Sequence, residues 1–348
     1  MTPFEAPDFD AHESVHFFAD AKTGLRALIA IHSTVLGPAA GGCRYLTYPS
    51  YAAALTDALR LSRGMSFKNA LAGLPLGGGK AVIIKTAEPM SAGRLQAFGR
   101  AVDSLNGRYV TAEDVGTSVA DMMAIASATR HVSGIASVGS VAGGNPAPKT
   151  AIGVFLGLRE GWRYLTGSTD LRGVRVAVQG LGGVGYALCQ ALYAAGAKLL
   201  VADTQPARVQ QAQRDFAAVG LAPERILFEP ADILAPCALG SVLDAQTIPR
   251  LSVRLIAGGA NNQLSTAEAG EMLKQRGILY APDFVVNAGG IICVASEYLG
   301  QGSDADVMAR IERIPLTLRE IFARAAAQSM ATDQVAEEMA RQLLARSA

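Results

Sequence analysis

The sequence Val174-Arg-Val-Ala-Val-Gln-Gly180-Leu-Gly182-Gly-Val-Gly185 decides the fold class of this 348-residue chain. Its apolar start predicts a strand, and the glycine-rich turn that follows opens a segment with helical periodicity. Gly180 allows a tight turn, Gly182 lets a pyrophosphate approach the helix N-terminus, and Gly185 permits close packing of helix on strand. The spacing therefore predicts a dinucleotide-binding strand-turn-helix unit.

An acidic residue follows the next predicted strand, which runs from Lys198 to Ala202. Asp203 stands roughly 20 residues beyond the glycine turn, where such folds place the carboxylate that accepts hydrogen bonds from the adenosine ribose. A carboxylate there also repels the 2′-phosphate of NADP, although Arg208 lies close behind and weakens that preference. We predict that the cofactor is NAD.

Strand-like and helical segments alternate through the rest of the second half, which indicates a parallel, doubly wound sheet. In the first half, Val15 to Asp20 and Leu25 to His32 predict a β-hairpin, and Tyr51 to Met65 has the apolar spacing of an amphipathic helix. Leu36 to Gly42 contains three glycines and a proline, so we expect a loop there. The fold class is α/β, with an N-terminal α/β domain followed by a Rossmann domain.

A stretch from Val132 to Pro148 is rich in Gly, Ser and Pro and marks the predicted linker. It separates a first domain, residues 1–134, from a second domain, residues 135–319. Helical segments follow Asp304, and we expect about residues 320–348 to pack back on the first domain.

Composition excludes several functional classes. The formal net charge is +1 without a basic block, so the sequence predicts neither a nucleic-acid partner nor a membrane partner. No apolar run reaches the ~20 residues of a membrane span, and the N-terminus lacks the pattern of a secretory signal, so we expect a cytoplasmic protein. The four cysteines form no C-x-x-C pair and the four histidines no ligand cluster, so we predict reduced thiols and no metal site.

The stretch Gly73-Leu-Pro-Leu-Gly77-Gly-Gly-Lys80 resembles a phosphate-binding P-loop but does not match one. That motif needs glycine where this chain has Leu74, and serine or threonine where it has Ala81. The triple glycine instead predicts a tight turn into a strand, with a lysine that faces a ligand other than phosphate.

Three charged residues are candidates for chemistry. Lys68 lies between apolar residues and Lys80 follows the glycines, so two ammonium groups could meet in one pocket and hold a carboxylate. Asp114 directly follows the predicted strand at Tyr109, where open α/β sheets bind ligands. Surface lysines and a turn-capping aspartate are the alternatives.

The chain resembles the glutamate/leucine/phenylalanine/valine dehydrogenase family over essentially its whole length. The resemblance implies a substrate domain followed by a Rossmann domain, with the active site in the cleft between them. It also implies reversible oxidative deamination of an L-amino acid by NAD, giving a 2-oxo acid, ammonia and NADH. The matching stretches are Leu36-Gly-Pro, Gly41-Gly42, Lys68, Gly77-Gly-Gly-Lys80, Ala112-Glu-Asp114-Val-Gly-Thr, Gly180 to Gly185, Ala260-Asn-Asn262 and Asn287-Ala-Gly-Gly290.

Residue roles follow from this resemblance. Lys68 would bind the substrate α-carboxylate, Lys80 would be the general base that activates water, and Asp114 would shuttle protons. The remaining substrate positions are Ala40, Gly41, Gly42, Met65, Asn262, Ile291 and Val294. The cofactor positions are Thr150, Gly180, Leu181, Gly182, Gly183, Val184, Gly185, Asp203 and Asn262.

Ala40 carries the argument about substrate choice. Glutamate-specific relatives have a lysine before the Gly-Gly pair, whereas this chain has Ala40 there and the apolar Val294 in the same expected pocket. Burying an unpaired carboxylate is costly, so we reject glutamate and favour branched-chain aliphatic substrates, with phenylalanine or another aromatic amino acid as the alternative. A catalytically inert NAD sensor is the rival of a different class. We also expect a homo-oligomer, from dimer to octamer.

Overall fold

The computed structural model of the chain describes residues 3–135, 142–238 and 240–347. It contains two compact units: the first gathers Met1–Pro146, Ile291–Val307 and Ala340–Ala348, and the second gathers Ala147–Gly290 and Met308–Met339. The predicted linker falls partly on residues 136–141, which lie outside the described residues. The domain boundaries given above stay a prediction.

The first unit is built on a mixed five-stranded sheet. Its strands are β1 (Ser14–Asp20), β2 (Leu25–Ser33), β3 (Ala39–Leu46), β4 (Gly77–Ile84) and β5 (Tyr109–Glu113). They lie in the order β1-β2-β4-β3-β5. β1 and β2 form the predicted antiparallel hairpin, β2 runs antiparallel to β4, and β3 runs parallel to both β4 and β5.

Helices pack on both faces of this sheet. They are α1 (Tyr51–Leu71) on one face and α2 (Ala92–Asp103) and α3 (Val119–Ala126) on the other. Alternate residues of β2 enter the two cores: Ile29 joins the cluster of α2 and α3, and Leu28 and Ala30 join the cluster of α1. Complete burial of a side chain such as Ile29 contributes about 1.5–3 kcal/mol, so both helix layers are strongly held.

The loop expected from Leu36 to Gly42 is wrong from Ala39 onward, because β3 is an inner strand of the sheet. The glycines of this strand are required by close packing and not by a turn. A Cβ at Gly41 would stand 1.8 Å from the carbonyl oxygen of Gly79, and one at Gly42 would stand 2.7 Å from Asp114 Cβ. Neighbouring atoms leave no room for a Cβ at Gly41 or Gly42, so close packing requires glycine at both positions. These same glycines made the strand look like a loop in the sequence.

The tight turn expected at the triple glycine is also wrong, because Gly77, Gly78 and Gly79 already belong to β4. A Cβ at Gly78 would stand 2.1 Å from the backbone nitrogen of Ser66 in α1. A Cβ at Gly79 would stand 2.7 Å from the ring of Tyr109. These glycines let a helix and an aromatic ring approach the strand on which Lys80 lies.

Two buried histidines hold α1 in place. His12 Nε2 lies 3.1 Å from the carbonyl oxygen of Leu59 and 3.0 Å from Ser62 Oγ. His32 Nδ1 lies 2.8 Å from Ser66 Oγ, and the two imidazole rings meet edge to face with centroids 4.8 Å apart. The contacts to Leu59, Ser62 and Ser66 all reach the helix that carries Lys68.

This arrangement predicts a loss of stability in acid. Burial, followed by the charge of His12, lowers the pKa of His32 from its usual 6.5 to about 4. The folded protein therefore loses stability as the pH falls from 6.5 towards 4, and the shift corresponds to about 3 kcal/mol when complete. We expect thermal melts to show a falling Tm over this range, and His32→Asn to reduce the decline. An equally steep decline in that variant would contradict the assignment.

The second unit is built on a parallel six-stranded sheet. Its strands are β6 (Arg175–Gln179), β7 (Lys198–Ala202), β8 (Val219–Gly220), β9 (Ile233–Pro236), β10 (Leu255–Ile256) and β11 (Leu279–Tyr280). They lie in the order β11-β10-β9-β6-β7-β8, and all pairs are parallel. This is the doubly wound order, with the topological switch point between β6 and β9. The predicted fold class is confirmed.

Helices complete the second unit, and the residues of α9, α10 and α12 are divided between the two units. Within the described ranges, no helix has the length and apolar character needed to cross a membrane. The helices are α4 (Ala147–Thr166), α5 (Gly183–Ala194), α6 (Pro206–Phe216), α7 (Glu268–Gln275), α8 (Asp283–Val286), α9 (Gly289–Leu299), α10 (Asp304–Ile311), α11 (Ile314–Gln328) and α12 (Thr332–Ser347).

Candidate active site

Lys80 and Asp114 form a buried ion pair in the first unit. Lys80 Nζ contacts Asp114 Oδ2, and the two side chains are 4% and 12% exposed. Lys80 lies on β4 and Asp114 directly follows β5, with β3 between these strands. Because Gly42 of β3 has no side chain, the lysine can reach the carboxylate on the far side of that strand.

Arg44 is a member of this site that the sequence argument missed. Its Nε donates to Asp114 Oδ2 at 3.0 Å, so two cations share one carboxylate oxygen. A signal was available, because Arg44 lies two positions after Gly42 and alternate residues of a strand share a face. The loop predicted from Leu36 to Gly42 conceals this alternation, because residues of a loop have no shared face.

The cations set the charge of Asp114. Burial by itself would raise the pKa of the Asp114 carboxyl. The charges of Lys80 and Arg44, together with the backbone N–H of Val115, outweigh burial and hold this pKa well below its usual range. Asp114 is therefore ionised throughout the physiological pH range.

A second carboxylate holds the other end of Arg44. The Arg44 NH1 group donates to both oxygens of Asp57, at 3.1 and 3.0 Å. Tyr48 Oη donates to Asp57 Oδ2 at 2.6 Å. The guanidinium thus bridges a carboxylate on α1 and the carboxylate at the end of β5.

Lys68 and Met65 lie in the C-terminal half of α1. Lys68 is buried in the last turn, and Met65 lies one turn earlier. Met65 Cγ is 3.2 Å from the position that a Cβ of Gly41 would occupy. The structure therefore places Met65 next to Gly41 and Asp114 next to Gly42.

The remaining predicted substrate positions of the first unit are apolar and buried. Ala40 lies on β3, and Ile291 and Val294 lie on α9. The Ser133 hydroxyl donates to the carbonyl oxygen of Val294 at 3.0 Å, which ties this part of α9 to the segment after α3. Asn262 lies in the second unit with the cofactor positions.

The glycine turn of the second unit has the geometry that dinucleotide binding needs. Gly180 has φ +92°, a left-handed conformation that favours glycine. Gly182 caps α5 without a side-chain hydrogen bond, and a Cβ there would meet no atom within 4 Å. A Cβ at Gly185 would stand 1.9 Å from the carbonyl oxygen of Gly180, so this glycine is needed for close packing of helix on strand.

Asp203 supports that turn from the end of β7. Its Oδ2 accepts a hydrogen bond from the backbone N–H of Leu181 at 2.7 Å, and its Oδ1 accepts one from Gln205 at 2.8 Å. Burial would raise the pKa of Asp203, but these N–H groups and Arg208, 3.6 Å away, lower it. The carboxylate is thus fixed and ionised beside the turn, and Gly183 and Val184 begin α5 there.

The segment from Asn287 to Gly289 approaches the first turn of α4 and also contacts Asn261. Thr150 lies in that turn, and its backbone nitrogen is 3.1 Å from the position of a Cβ at Gly289. Asn262 adopts the left-handed conformation, with φ +51°. Asn287 Nδ2 donates to Asn261 Oδ1 at 3.1 Å, whereas its buried Oδ1 accepts no hydrogen bond from the described residues.

These features fit a dinucleotide. The open approach at Gly182 admits a pyrophosphate to a helix N-terminus, and an ionised carboxylate stands at the next strand. The buried, unpartnered Oδ1 of Asn287 is an acceptor for an amide N–H group.

Sequence models of one family match both parts of the chain. Residues 12–131 match the Glu/Leu/Phe/Val dehydrogenase dimerisation domain, and residues 201–345 match Glutamate/Leucine/Phenylalanine/Valine dehydrogenase. The chain belongs to the Glu/Leu/Phe/Val dehydrogenase family. The resemblance drawn from the sequence is confirmed, and the protein is an amino acid dehydrogenase.

Relatives in this family carry several substrate names. The chain is 47% identical to leucine dehydrogenase of Geobacillus stearothermophilus over 333 residues, covering 95% of this chain and 90% of the relative. It is 42% identical to phenylalanine dehydrogenase of Bacillus thermotolerans over 337 residues, covering 95% and 88%. The crystal structure of L-tryptophan dehydrogenase from Nostoc punctiforme superposes with a TM-score of 0.80 at 42% identity, covering 97% of each chain.

Proposed function

We propose that this dehydrogenase catalyses the reversible, NAD-dependent oxidative deamination of a hydrophobic L-amino acid, with leucine and other branched-chain substrates favoured. The products are a 2-oxo acid, ammonia and NADH. The observation that carries the proposal is the buried Lys80–Asp114 pair, because it joins a potential base to an ionised carboxylate in a site flanked by apolar side chains.

In this proposal Lys68 pairs with the substrate α-carboxylate, which fixes Cα and leaves the side chain among apolar residues. Loss of the Cα hydrogen as hydride leaves an iminium carbon that water attacks. Neutral Lys80 Nζ removes the proton of that water, and Asp114 Oδ2, in contact with Nζ, passes protons to and from the nitrogen. Once its proton has passed through Asp114 to the nitrogen, Lys80 takes the hydroxyl proton of the carbinolamine as the C–N bond breaks, so that ammonia leaves and the 2-oxo acid remains.

Bound NAD supplies the hydride acceptor for this reaction. The turn from Gly180 to Gly185 would hold its pyrophosphate, and Asp203 its adenosine ribose. Thr150 and Asn262 would orient the nicotinamide or the substrate. The Asp203 carboxylate is ionised, and beside the adenosine ribose it would repel the 2′-phosphate of NADP.

The side-chain pocket supports hydrophobic substrates. Ala40, Met65, Ile291 and Val294 offer no cation to a substrate carboxylate, so glutamate would bury an unpaired charge. The small Ala40 leaves room for a larger side chain, which favours phenylalanine or another aromatic amino acid as the second candidate. The 42% identity to relatives named for phenylalanine and tryptophan supports the same alternative.

Parallel assays of NADH formation test the proposal. The purified enzyme at alkaline pH is offered leucine, valine, isoleucine, phenylalanine, tryptophan and glutamate, each with NAD and with NADP. We expect kcat/KM for leucine to exceed that for glutamate by at least about 10³, because a buried unpaired carboxylate costs several kcal/mol. A higher kcat/KM for an aromatic substrate would select the alternative, and robust glutamate turnover would overturn the pocket argument.

We also propose a cytoplasmic homo-oligomer, with small molecules rather than nucleic acid or membranes as partners. β1 lies at an edge of its sheet, and Phe17 on that strand is 61% exposed. An edge strand with an exposed aromatic side chain is suited to pairing with a second copy of the chain. Sedimentation velocity will give the number of subunits, and a monomer at micromolar concentration would contradict this proposal.

A further inference from the structure

The guanidinium of Arg44 has no role in the reaction as proposed so far, although it contacts a proposed proton carrier. It is 12% exposed and donates to Asp114 Oδ2, the oxygen that Lys80 also contacts. An arginine stays charged at every working pH, whereas a lysine that acts as a base must lose its charge during turnover. The two cations of Asp114 are therefore not equivalent.

The consequence appears when Lys80 gives up its proton. Asp114 is buried, and an ionised carboxylate without a cation would be costly there. Arg44 remains beside it and keeps the carboxylate ionised, so the proton can leave the pair altogether. Without Arg44, the proton would stay between Lys80 Nζ and Asp114 Oδ2 until a higher pH was reached.

Hydrogen bonds to Asp57 also fix the position of the Arg44 guanidinium. Asp57 receives two hydrogen bonds from the Arg44 NH1 group, at 3.1 and 3.0 Å, and Tyr48 donates to the same carboxylate. This fork leaves Nε to face Asp114 at 3.0 Å. A lysine in place of Arg44 could supply charge but could not reproduce the planar fork to both carboxylates.

We propose that Arg44 is a positioning residue for the amino acid dehydrogenase reaction, a permanent cation oriented by Asp57 and Tyr48 that keeps Asp114 ionised while Lys80 acts as base. This inference rests on the proposed function for its kinetic consequence. It assigns Asp57 and Tyr48 to the support of the site.

The first test is the pH profile of the purified full-length enzyme with leucine and NAD. Arg44→Met removes the charge, and we expect the rising limb of kcat to move to higher pH by about 1–3 pH units. At a fixed pH below that limb, kcat falls at least about tenfold and is restored by raising the pH. Arg44→Lys keeps the charge, so its limb stays near that of the wild type while its kcat is reduced.

Two further variants separate positioning from folding. Arg44→Met alone leaves Asp57 without its cation, so the double variant Arg44→Met/Asp57→Asn removes both charges together. We expect it to fold and to keep the shifted profile of the single variant. Arg172→Met, which removes an exposed arginine paired with Asp170, is the matched control and should leave the profile unchanged. If Arg44 had a purely structural role, Arg44→Met would have a lower Tm and a lower kcat, but the rising limb of its pH profile of kcat would stay at the wild-type pH.

A second readout does not depend on turnover. Carboxyl-¹³C NMR of aspartate-labelled protein, with the Asp114 signal assigned by Asp114→Asn, follows the ionisation of that side chain directly. We expect the wild-type Asp114 signal to stay at its ionised position at every pH at which the protein is folded, whereas in Arg44→Met and in the double variant it moves towards the protonated position at the acid end of that range. An Asp114 signal that stays at the ionised position in both variants, or an unmoved limb in an active double variant, overturns the inference. Failure of the proposed function would show instead as a wild type that oxidises none of the amino acids, with the NMR comparison still deciding the role of Arg44.

Discussion

Lys80→Met will lower kcat for the preferred amino acid by about 10²–10⁴ while leaving the affinity for NAD unchanged. Positioned general bases contribute a factor of this size, and methionine keeps the volume of the side chain without a titratable nitrogen. The dinucleotide turn lies in the second unit and Lys80 in the first, so the Kd for NAD should not respond. Steady-state kinetics and fluorescence titration with NADH measure the two effects separately.

The matched control for this variant is Lys198→Met, which changes an exposed lysine at the start of β7. It should leave kcat, KM and the Kd for NADH within about twofold of the wild type, as expected for a surface substitution. A variant at Lys80 that keeps its turnover, or that loses NADH binding together with turnover, would remove Lys80 from the role of base.

Gly78→Ala will destabilise the protein by at least about 3 kcal/mol, or prevent its folding. The new Cβ would stand 2.1 Å from the backbone nitrogen of Ser66 and 2.6 Å from the carbonyl oxygen of Ser62. Backbone atoms of a helix cannot move aside as a flexible side chain can, so α1 must shift away from β4. Lys68 lies on α1 and Lys80 on β4, so activity should fall further than stability alone requires.

Gly93→Ala is the control for this second prediction. Gly93 lies in α2 with an ordinary backbone conformation, and its nearest contact for a Cβ is Thr23 Cγ2 at 3.6 Å. The same substitution should therefore stabilise the protein by about 0.5–1 kcal/mol, because alanine favours a helix more than glycine does. Urea titration of both variants gives the two free energies of unfolding, and equal signs would contradict the packing argument.

Local signals in the sequence were sufficient where one short segment fixes its own geometry. The turn from Gly180 to Gly185 was predicted with its strand, its helix and its acidic partner Asp203, because each glycine answers a steric need within that segment. The hairpin of β1 and β2 was likewise correct, since alternating apolar residues on both sides of a turn determine their own pairing.

Prediction failed where a residue type is required by a contact with a distant part of the chain. Gly41 and Gly42 suggested a loop, yet they lie in an inner strand because Gly79 and Asp114 approach them. Gly78 suggested a turn, yet it accommodates a helix. A glycine required by a long-range neighbour looks the same in the sequence as a glycine required by a turn.

The sequence by itself determined the fold class and the family, and it predicted the chemical types of the site: an amine base, a carboxylate and a dinucleotide turn. Only the tertiary structure decided how the charges are arranged. Lys80 and Arg44 lie on neighbouring strands, Asp114 directly follows a third strand and Asp57 lies on a helix, and sheet register brings them together. Contacts among residues far apart in the chain depend on strand order and register, so the alternation along β3 could place Arg44 on the face of Gly42 but could not show that it pairs with Asp114.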